Sequence, residues 1–136
     1  MLETIKRAIG NLKHKKITVL GTAFKPETDD VRDSISIKLI EILLENKTRI
    51  TVHDPKAINN TKNIFGNKIS YSSSIHDSLV ESDCGVIVTP WKEYTQINQK
   101  DLKVMKKQVI VDSRRILVGS KLRMKYYPIG IGKNKL

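Results

Sequence analysis

The sequence predicts an α/β domain, a Rossmann-like three-layer fold built on a mostly parallel sheet of five or six strands. Short apolar runs rich in β-branched residues end in glycine, aspartate or proline, as strands buried in a parallel sheet do. Helical stretches separate these runs at intervals of roughly 20 to 35 residues, the spacing of right-handed βαβ units. The 136 residues suffice for one domain with one sizeable core.

Four apolar runs predict buried strands, and two shorter segments are further strand candidates. The four runs are KITVLGT at 16–22, RITVH at 49–53, CGVIVT at 84–89 and QVIVD at 108–112. The two candidates lie at 68–71 and 124–127. Runs without regular polar alternation are typical of strands that helices cover on both faces.

The clearest helix is predicted over 34–46, where Ser34 can cap the first turn. The expected buried face carries Ile37, Ile40 and Leu44, and the solvated side carries Lys38, Glu41 and Glu45. Shorter helices are predicted over 56–66, 74–82 and 98–107. Residues 1–15 precede the first strand and have the pattern of a helix end from a larger structure.

Charge is unevenly distributed along the chain. Lysine and arginine number 25 against 14 acidic residues, for a formal net charge of +11. Residues 1–16 contribute +4, residues 17–99 contribute −2 and residues 100–136 contribute +9. Such a surface attracts nucleic acid, an acidic membrane surface or a small polyanion such as a nucleotide sugar, or it is simply a solvated lysine-rich surface.

Several classes of protein are excluded by what the sequence lacks. No apolar run approaches the roughly 20 residues of a membrane span, and the N-terminus shows no secretory signal pattern. Cys84 is the single cysteine, which excludes an internal disulfide, and three scattered histidines offer no metal-ligand spacing. We therefore expect a reduced, cytoplasmic domain without a metal ion.

The residues that follow the strands are the place to search for a ligand site. Ligands of open parallel sheets bind beyond the carboxyl ends of the strands, where the strand order reverses. Cations and aromatic rings gather there, which favours a phosphate-bearing ligand with a flat base. These residues are Phe24, Lys25, Arg32, Trp91, Arg114 and Arg115.

The loop after the first strand differs from the usual dinucleotide-binding loop. Gly21 stands alone, without the G-x-G-x-x-G pattern that lets backbone amides approach a pyrophosphate. Lys25 offers a point charge and Arg32 a planar donor fork, and both suit phosphate oxygens. The spacing leaves a binding loop and a plain capping loop open. The loop also carries Asp29, Asp30 and Asp33. In a binding loop these carboxylates would orient the cations, and in a capping loop they would cap the helix.

The segment GTAFKPETDDVRDS at 21–34 resembles a signature of the UDP-glucose/GDP-mannose dehydrogenase family, G-x-x-F-K-x-x-T-D-D-x-R-x-S in its C-terminal domain. Shorter matches are V-x-D-P at 52–55, V-T-x-W at 88–91, D-x-R at 112–114 and G-I-G at 130–132. The resemblance covers about 16–132. It implies an enzyme that oxidises the C6 alcohol of a nucleotide sugar to a carboxylate with two NAD in succession, as when UDP-glucose becomes UDP-glucuronate.

The resemblance implies a role for each matching residue. Phe24 and Lys25 correspond to nucleotide-sugar contacts, with Lys25 near the diphosphate. Arg114 corresponds to the arginine on the substrate side. Arg32 corresponds to an arginine that reaches across the interdomain cleft to NAD.

Three further residues at this edge are open to more than one interpretation. Asp54 stands either where a Rossmann acid binds a ribose hydroxyl or as a turn cap before Pro55, and we favour the cap. Trp91 is a packing residue at the rim or a platform for a base, and we favour packing. Arg115 is expected to face solvent.

Parts that the resemblance implies for the whole enzyme do not occur in this chain. The catalytic cysteine, with its base and lysine partners, lies ahead of this domain, as does the domain that binds most of the NAD. Cys84 opens a buried strand, so we expect a core residue and no catalytic residue. We predict a catalytically incomplete nucleotide-sugar-binding domain over 16–136, with 1–15 as the remnant of a preceding helical region. Its expected partners are a UDP-sugar and the N-terminal NAD-binding and central dimerisation domains, in a homodimer.

Two alternatives stay open. The F-K-P at 24–26 and the W-x-E-Y at 91–94 resemble the UDP-glucose branch, while GDP-mannose or a UDP-N-acetylhexosamine is the alternative substrate. The alternative from another class is a stand-alone basic module that binds nucleotides or nucleic acid. Aromatic residues make up only 5% of the chain and do not alternate with basic ones, which disfavours nucleic acid.

Overall fold

A six-stranded, all-parallel sheet forms the centre of the domain in the computed structural model, which describes residues 1–129. The strands are β1 (Lys16–Leu20), β2 (Arg49–His53), β3 (Ser70–Tyr71), β4 (Cys84–Ile87), β5 (Val109–Asp112) and β6 (Lys125–Pro128). They lie in the order β3-β2-β1-β4-β5-β6, and each neighbouring pair is parallel. The predicted G-I-G match at 130–132 lies outside the described residues.

Helices cover both faces of the sheet. They are α1 (Leu2–Ile9), α2 (Ile35–Glu45), α3 (Ile58–Phe65), α4 (Ile75–Leu79) and α5 (Gln99–Lys103). One buried cluster joins α1, α2 and α3 to the sheet, and a second joins α4 and α5 to it. The predicted three-layer α/β fold is therefore confirmed. Within the described residues, no helix is both long and apolar enough to cross a bilayer.

Helix α1 packs against the sheet next to β5. Its side chains Ile5 and Ile9 are buried in the same cluster as α2 and α3, at 0% and 8% exposure. Leu12, in the connection to β1, is buried with them. The segment ahead of the first strand is thus part of the core of this domain.

The buried face of α2 differs from the predicted one. Leu39, Ile40 and Leu43 are buried, whereas the predicted core positions Ile37 and Leu44 are only half-buried. The prediction was right for Ile40 but wrong for Ile37 and Leu44, because the buried face of the helix is rotated toward Leu39 and Leu43. A buried hydroxyl explains the rotation.

That hydroxyl belongs to Ser36, in the first turn of α2. It donates a hydrogen bond to the carbonyl oxygen of Gly21, which draws this turn against the end of β1. The predicted cap is present, because Ser34 Oγ accepts from the Ser36 N–H at 3.1 Å. Position in the first turn, rather than apolar periodicity, therefore decides which side of α2 is buried.

Most of the remaining predicted elements are present with narrower bounds. The strand predicted at 49–53 has the predicted bounds, and the one predicted at 124–127 lies one residue later, at Lys125–Pro128. Lys68 belongs to a short 3₁₀ turn, Gly66–Lys68, so that the strand predicted over 68–71 is reduced to Ser70–Tyr71. A second 3₁₀ turn, Lys92–Gln96, was not predicted. It forms because Tyr94 inserts fully into the core beside α5.

Candidate functional site

The carboxyl edge of the sheet has its switch point between β1 and β4, and the loops that follow these strands touch there. Gly21 has a φ of +97°, and a Cβ at this position would lie 2.4 Å from the Cβ of Thr89. Thr89 also donates a hydrogen bond to the carbonyl oxygen of Ala23 at 2.6 Å. The lone glycine of the signature therefore serves the contact between two loops.

Asp54, directly after β2, ties the loop after β1 to the start of α3. Its carboxylate is buried, with the residue 4% exposed, and both oxygens accept hydrogen bonds. The donors are the backbone N–H groups of Thr22, Ala23, Lys56 and Ala57 and the indole Nε1 of Trp91, at 2.8 to 3.1 Å. Asp54 is thus a cap, as favoured from the sequence. Trp91 is 3% exposed and committed to this contact, so it is a packing residue.

The loop 21–34 is folded back on itself and fastened to α3. The Phe24 N–H donates to the carbonyl oxygen of Asp30 at 2.9 Å, which closes the loop. Asn60 of α3 donates from Nδ2 to the carbonyl oxygen of Asp29 at 2.8 Å. Two residues of the loop, Glu27 and Asp33, have positive φ values of 68° and 58°. Such conformations persist only where the surroundings hold them, so the loop presents its side chains from a fixed backbone.

Phe24 and Lys25 stand together on the exposed side of this loop. The residue Phe24 is 44% exposed, and the Lys25 ammonium lies 5.4 Å from the centroid of its ring. A cation next to an exposed ring offers a charge for phosphate oxygens and a flat apolar surface for a base or a sugar. This pair brings two exposed candidate residues of the predicted site into contact.

Arg32 is held by a different partner. Its side chain is 87% exposed and forms a bidentate pair with Asp30, with Nε 3.0 Å from Oδ1 and Nη2 2.7 Å from Oδ2. The guanidinium lowers the pKa of the Asp30 carboxyl to about 2. Arg32 is therefore fixed by Asp30, whereas Lys25 lies against Phe24.

A second buried carboxylate organises the loop after β5. Asp112 is 0% exposed and accepts hydrogen bonds from the N–H groups of Arg114, at 3.2 Å, and Leu117, at 2.9 Å. The Tyr126 hydroxyl of β6 donates to it at 2.7 Å, and burial together with this bond raises the pKa of Tyr126. The side chains of Arg114 and Arg115 are exposed on the loop that Asp112 holds. The expectation that Arg115 faces solvent agrees with this exposure.

Lys25 and Arg114 lie at the same edge, on the loops that follow β1 and β5. Only β4 lies between β1 and β5, so the bases of the two loops are about 10 Å apart. Neither side chain takes part in an ion pair within residues 1–129. Two cations without acidic partners within residues 1–129, on two loops at one edge, can bind one ligand that carries several negative charges.

A buried polar pair beneath the site was not predicted. His53 Nδ1 lies 2.9 Å from the Tyr94 hydroxyl, which also donates to the His53 carbonyl oxygen at 3.1 Å. Burial lowers the pKa of His53, so its imidazole is neutral at neutral pH. The pair fixes the end of β2 directly before Asp54. In the sequence, the tyrosine of the W-x-E-Y segment was the one sign of this pair. Nothing in the sequence showed that this tyrosine contacts a residue of β2.

Cys84 lies in the core and away from this edge, at the first position of β4. Burial raises the pKa of its thiol to about 12, so the nucleophilic thiolate is not formed at neutral pH. The expectation of a core residue agrees with this environment.

Cys84→Ala is therefore expected to affect packing alone. We expect the free energy of unfolding to fall by about 1 kcal/mol, because the change removes one small buried group. Urea denaturation of the variant measures this loss. A loss several times larger would show that Cys84 contributes more than packing.

A dinucleotide bound in the usual Rossmann position does not fit these residues. Asp54 has no free oxygen for a ribose hydroxyl, and Thr89 fills the space next to Gly21 where a pyrophosphate would approach the backbone. Among the predicted residues, the exposed groups that remain are the Phe24–Lys25 pair, Arg32, Arg114 and Arg115. They fit a phosphate-bearing ligand that lies across the outer side of the loops.

The all-parallel sheet, its switch point and the capped loops at its carboxyl edge define a Rossmann-like α/β domain. Residues 18–119 match the profile described as the UDP-glucose/GDP-mannose dehydrogenase family, UDP binding domain. The chain belongs to this family.

Individual relatives agree with this assignment. The UDP-glucose 6-dehydrogenase of Haloferax volcanii is 34% identical over 117 residues, which are 86% of this chain and 26% of that protein. The structure of a UDP-glucose dehydrogenase from Pyrobaculum islandicum has a TM-score of 0.80 and 28% identity, covering 93% of this chain and 28% of that one. The structure of a UDP-D-ManNAc dehydrogenase from Pyrococcus horikoshii has a TM-score of 0.76 and 25% identity, covering 98% and 29%. The chain thus spans less than a third of the length of these relatives.

Proposed function

We propose that this chain is the UDP-sugar-binding domain of an NAD-dependent UDP-sugar dehydrogenase that oxidises UDP-glucose to UDP-glucuronate. It acts together with an N-terminal domain that binds most of the NAD and a central helical domain, in a homodimer. Residues 1–15 are the end of that central region, and Ile5 and Ile9 fasten it to the sheet.

The observation that carries this proposal is the state of the cations at the carboxyl edge. Lys25 and Arg114 are exposed, have no acidic partner within the described residues, and stand on loops that Asp54 and Asp112 fix from below. A basic side chain kept free on a rigid loop is suited to an anionic ligand, because little ordering is needed on binding. We assign Lys25 to the diphosphate, Phe24 to the nucleotide sugar and Arg114 to the substrate side.

Arg32 has a separate role in this proposal. Its guanidinium is held by Asp30 and is 87% exposed, so it can meet a group that another domain presents. We assign it to NAD across the interdomain cleft. This assignment differs from that of Lys25 and Arg114 in one measurable respect, since loss of Arg32 leaves the UDP contacts of this domain in place.

The relatives name two kinds of sugar nucleotide. The relative in Haloferax volcanii is a UDP-glucose 6-dehydrogenase, which favours UDP-glucose. The similar structure from Pyrococcus horikoshii is a UDP-D-ManNAc dehydrogenase, so a UDP-N-acetylhexosamine is the alternative substrate. The UDP part is common to both, and it is the part that the edge of this domain binds.

The 136-residue chain alone is expected to produce no NADH from UDP-glucose and NAD. Hydride transfer needs the nicotinamide, a nucleophile and a base held together, and the one cysteine of the chain is a buried neutral thiol. Absorbance at the NADH band measures the rate. A turnover that survives purification and is lost on substitution of a residue in this chain would contradict the assignment.

Substitutions in the enzyme completed with its other domains test the separate roles. Lys25→Ala and Arg114→Ala should each raise KM for the sugar nucleotide about ten- to hundred-fold, because each removes a charge-assisted bond of about 1.5 to 3 kcal/mol. Arg32→Ala should instead raise KM for NAD. Steady-state kinetics with each substrate varied in turn separate the two effects.

Lys100→Ala, on the exposed surface of α5, is the control for loss of one positive charge. It should leave both KM values within about two-fold of the wild type. If Arg32→Ala raises KM for the sugar nucleotide while Lys25→Ala does not, the two assignments are reversed.

A further inference from the structure

An apolar groove lies between α2 and α3, away from the carboxyl edge. It has a volume of about 810 Å³. Ile42, Leu44, Ile64 and Phe65 supply its apolar surface, and four charged residues line its rim. We call this surface the α2–α3 face, and its rim residues are Lys38, Glu41, Glu45 and Lys68.

Isoleucine side chains on and next to this face are unusually exposed. Ile42 is 39% exposed, Ile64 is 47% exposed, and Ile35, one turn before Lys38, is 61% exposed. On α2 the positions 35, 38, 42 and 45 are three, four and three residues apart. This spacing places them on one stripe of the helix. A stripe of this kind is the geometry with which one helix packs against another.

The rim of the face is electrically neutral on a strongly basic chain. It carries two lysines and two glutamates, whereas the whole chain carries a formal net charge of +11. Two copies of this chain repel each other through the basic segments 1–16 and 100–136, which contribute +4 and +9. They can approach through a neutral face without this repulsion.

The charges on α2 also run against the dipole of the helix. Glu41 and Glu45 lie in its C-terminal half, and no basic residue lies in its last turn. Acidic side chains at that end are unfavourable for an isolated helix, and a cation there would be favoured. None of the rim residues takes part in an ion pair within residues 1–129. The partners that these charges lack would be supplied by a second helix of opposite direction.

We propose that the α2–α3 face binds the same face of a second copy of this chain about a twofold axis, with the two α2 helices antiparallel. This arrangement places Lys38 of each copy against the acidic end of α2 in the other, and it covers Ile42 and Ile64 of both. The interface needs no nucleotide and lies apart from the site of the proposed function. Its failure would therefore leave the assignment of Lys25 and Arg114 untouched.

Sedimentation equilibrium of the 136-residue chain tests this interface. The wild type should form a reversible dimer whose fraction rises with protein concentration. Ile42→Glu should remain a monomer at every concentration tested. Val80→Glu is the matched control, since Val80 has nearly the same exposure, 40%, and lies outside the face. It should dimerise like the wild type.

A charge exchange keeps the test independent of any effect on folding. Lys38→Glu and Glu45→Lys should each weaken the dimer at least ten-fold, because each sets like charges opposite one another. The double variant K38E/E45K restores opposite charges across the axis and should return the Kd to within about three-fold of the wild type. A wild type that stays monomeric at about 1 mM would overturn the proposal, and another part of a longer protein would then be the occupant of the groove. A dimer that Ile42→Glu leaves intact would overturn it as well.

Discussion

Gly21→Ala is expected to lower the free energy of unfolding by about 3 kcal/mol or more. The φ of +97° is unfavourable for any residue with a Cβ, and strain of this kind amounts to about 1 to 2 kcal/mol. The new Cβ would also lie 2.4 Å from the Cβ and 2.7 Å from the backbone nitrogen of Thr89. Overpacking against backbone adds about 1 to 3 kcal/mol, because a backbone atom cannot rotate away.

Gly119→Ala separates these two contributions. Gly119 also has a positive φ, of +83°, but no atom lies within 4 Å of the position of its Cβ. Its substitution should therefore cost only the strain, about 1 kcal/mol. Urea denaturation of both variants measures the difference. Equal losses would show that the loops after β1 and β4 do not touch at Gly21.

Asp54→Ala is expected to lower the free energy of unfolding by about 4 kcal/mol or more. The change leaves five N–H donors without their acceptor, and each buried donor without a partner costs about 1 to 3 kcal/mol unless water reaches it. Such a loss approaches the whole stability of a small domain, about 5 to 15 kcal/mol. It should also free the loop 21–34, so that UDP binding weakens in the fraction that stays folded.

Asp83→Ala is the matched comparison for a buried carboxylate. Asp83 is 2% exposed and its side chain accepts one hydrogen bond, from the Lys16 N–H at 2.9 Å. Its Oδ1 atom has no partner within the described residues. The substitution should therefore cost no more than about 2 kcal/mol. A loss as large as that of Asp54→Ala would show that burial of the carboxylate matters more than its hydrogen bonds.

The strands could be predicted because each is a short β-branched run covered on both faces. KITVL, CGVI and VIVD lie in the centre of the sheet, where burial on two sides favours apolar residues. The buried polar side chains in these strands, Thr18 and Asp112, are hydrogen-bonded. The strand at one edge of the sheet was less clear from the sequence. The strand at Ser70–Tyr71 sits at the sheet edge and needs only two residues, so its sequence carries little signal.

The side-chain contacts beneath the site could not be predicted in the same way. Asp54 follows β2 and Asp112 ends β5, and both are buried acceptors for groups from other segments. Asp54 accepts from the Thr22 N–H, and Asp112 accepts from the Tyr126 hydroxyl. Which residue meets them depends on strand order, since Trp91 reaches Asp54 only because β4 and β2 flank β1. Ser36 of α2 is a similar case. Its burial follows from the position of Gly21, and helical periodicity contains no information on that contact.

UDP titrated into the ¹⁵N-labelled chain tests most directly whether this domain binds the nucleotide through the carboxyl edge. We expect shifts of the amide signals in 21–34 and 112–117, with a Kd in the millimolar range or below. Lys25→Ala and Arg114→Ala should each raise this Kd at least about ten-fold, while Arg32→Ala should change it by less than about two-fold. The absence of shifts at about 10 mM UDP, or binding that only Arg32→Ala abolishes, would contradict the assignment of the domain and of its cations.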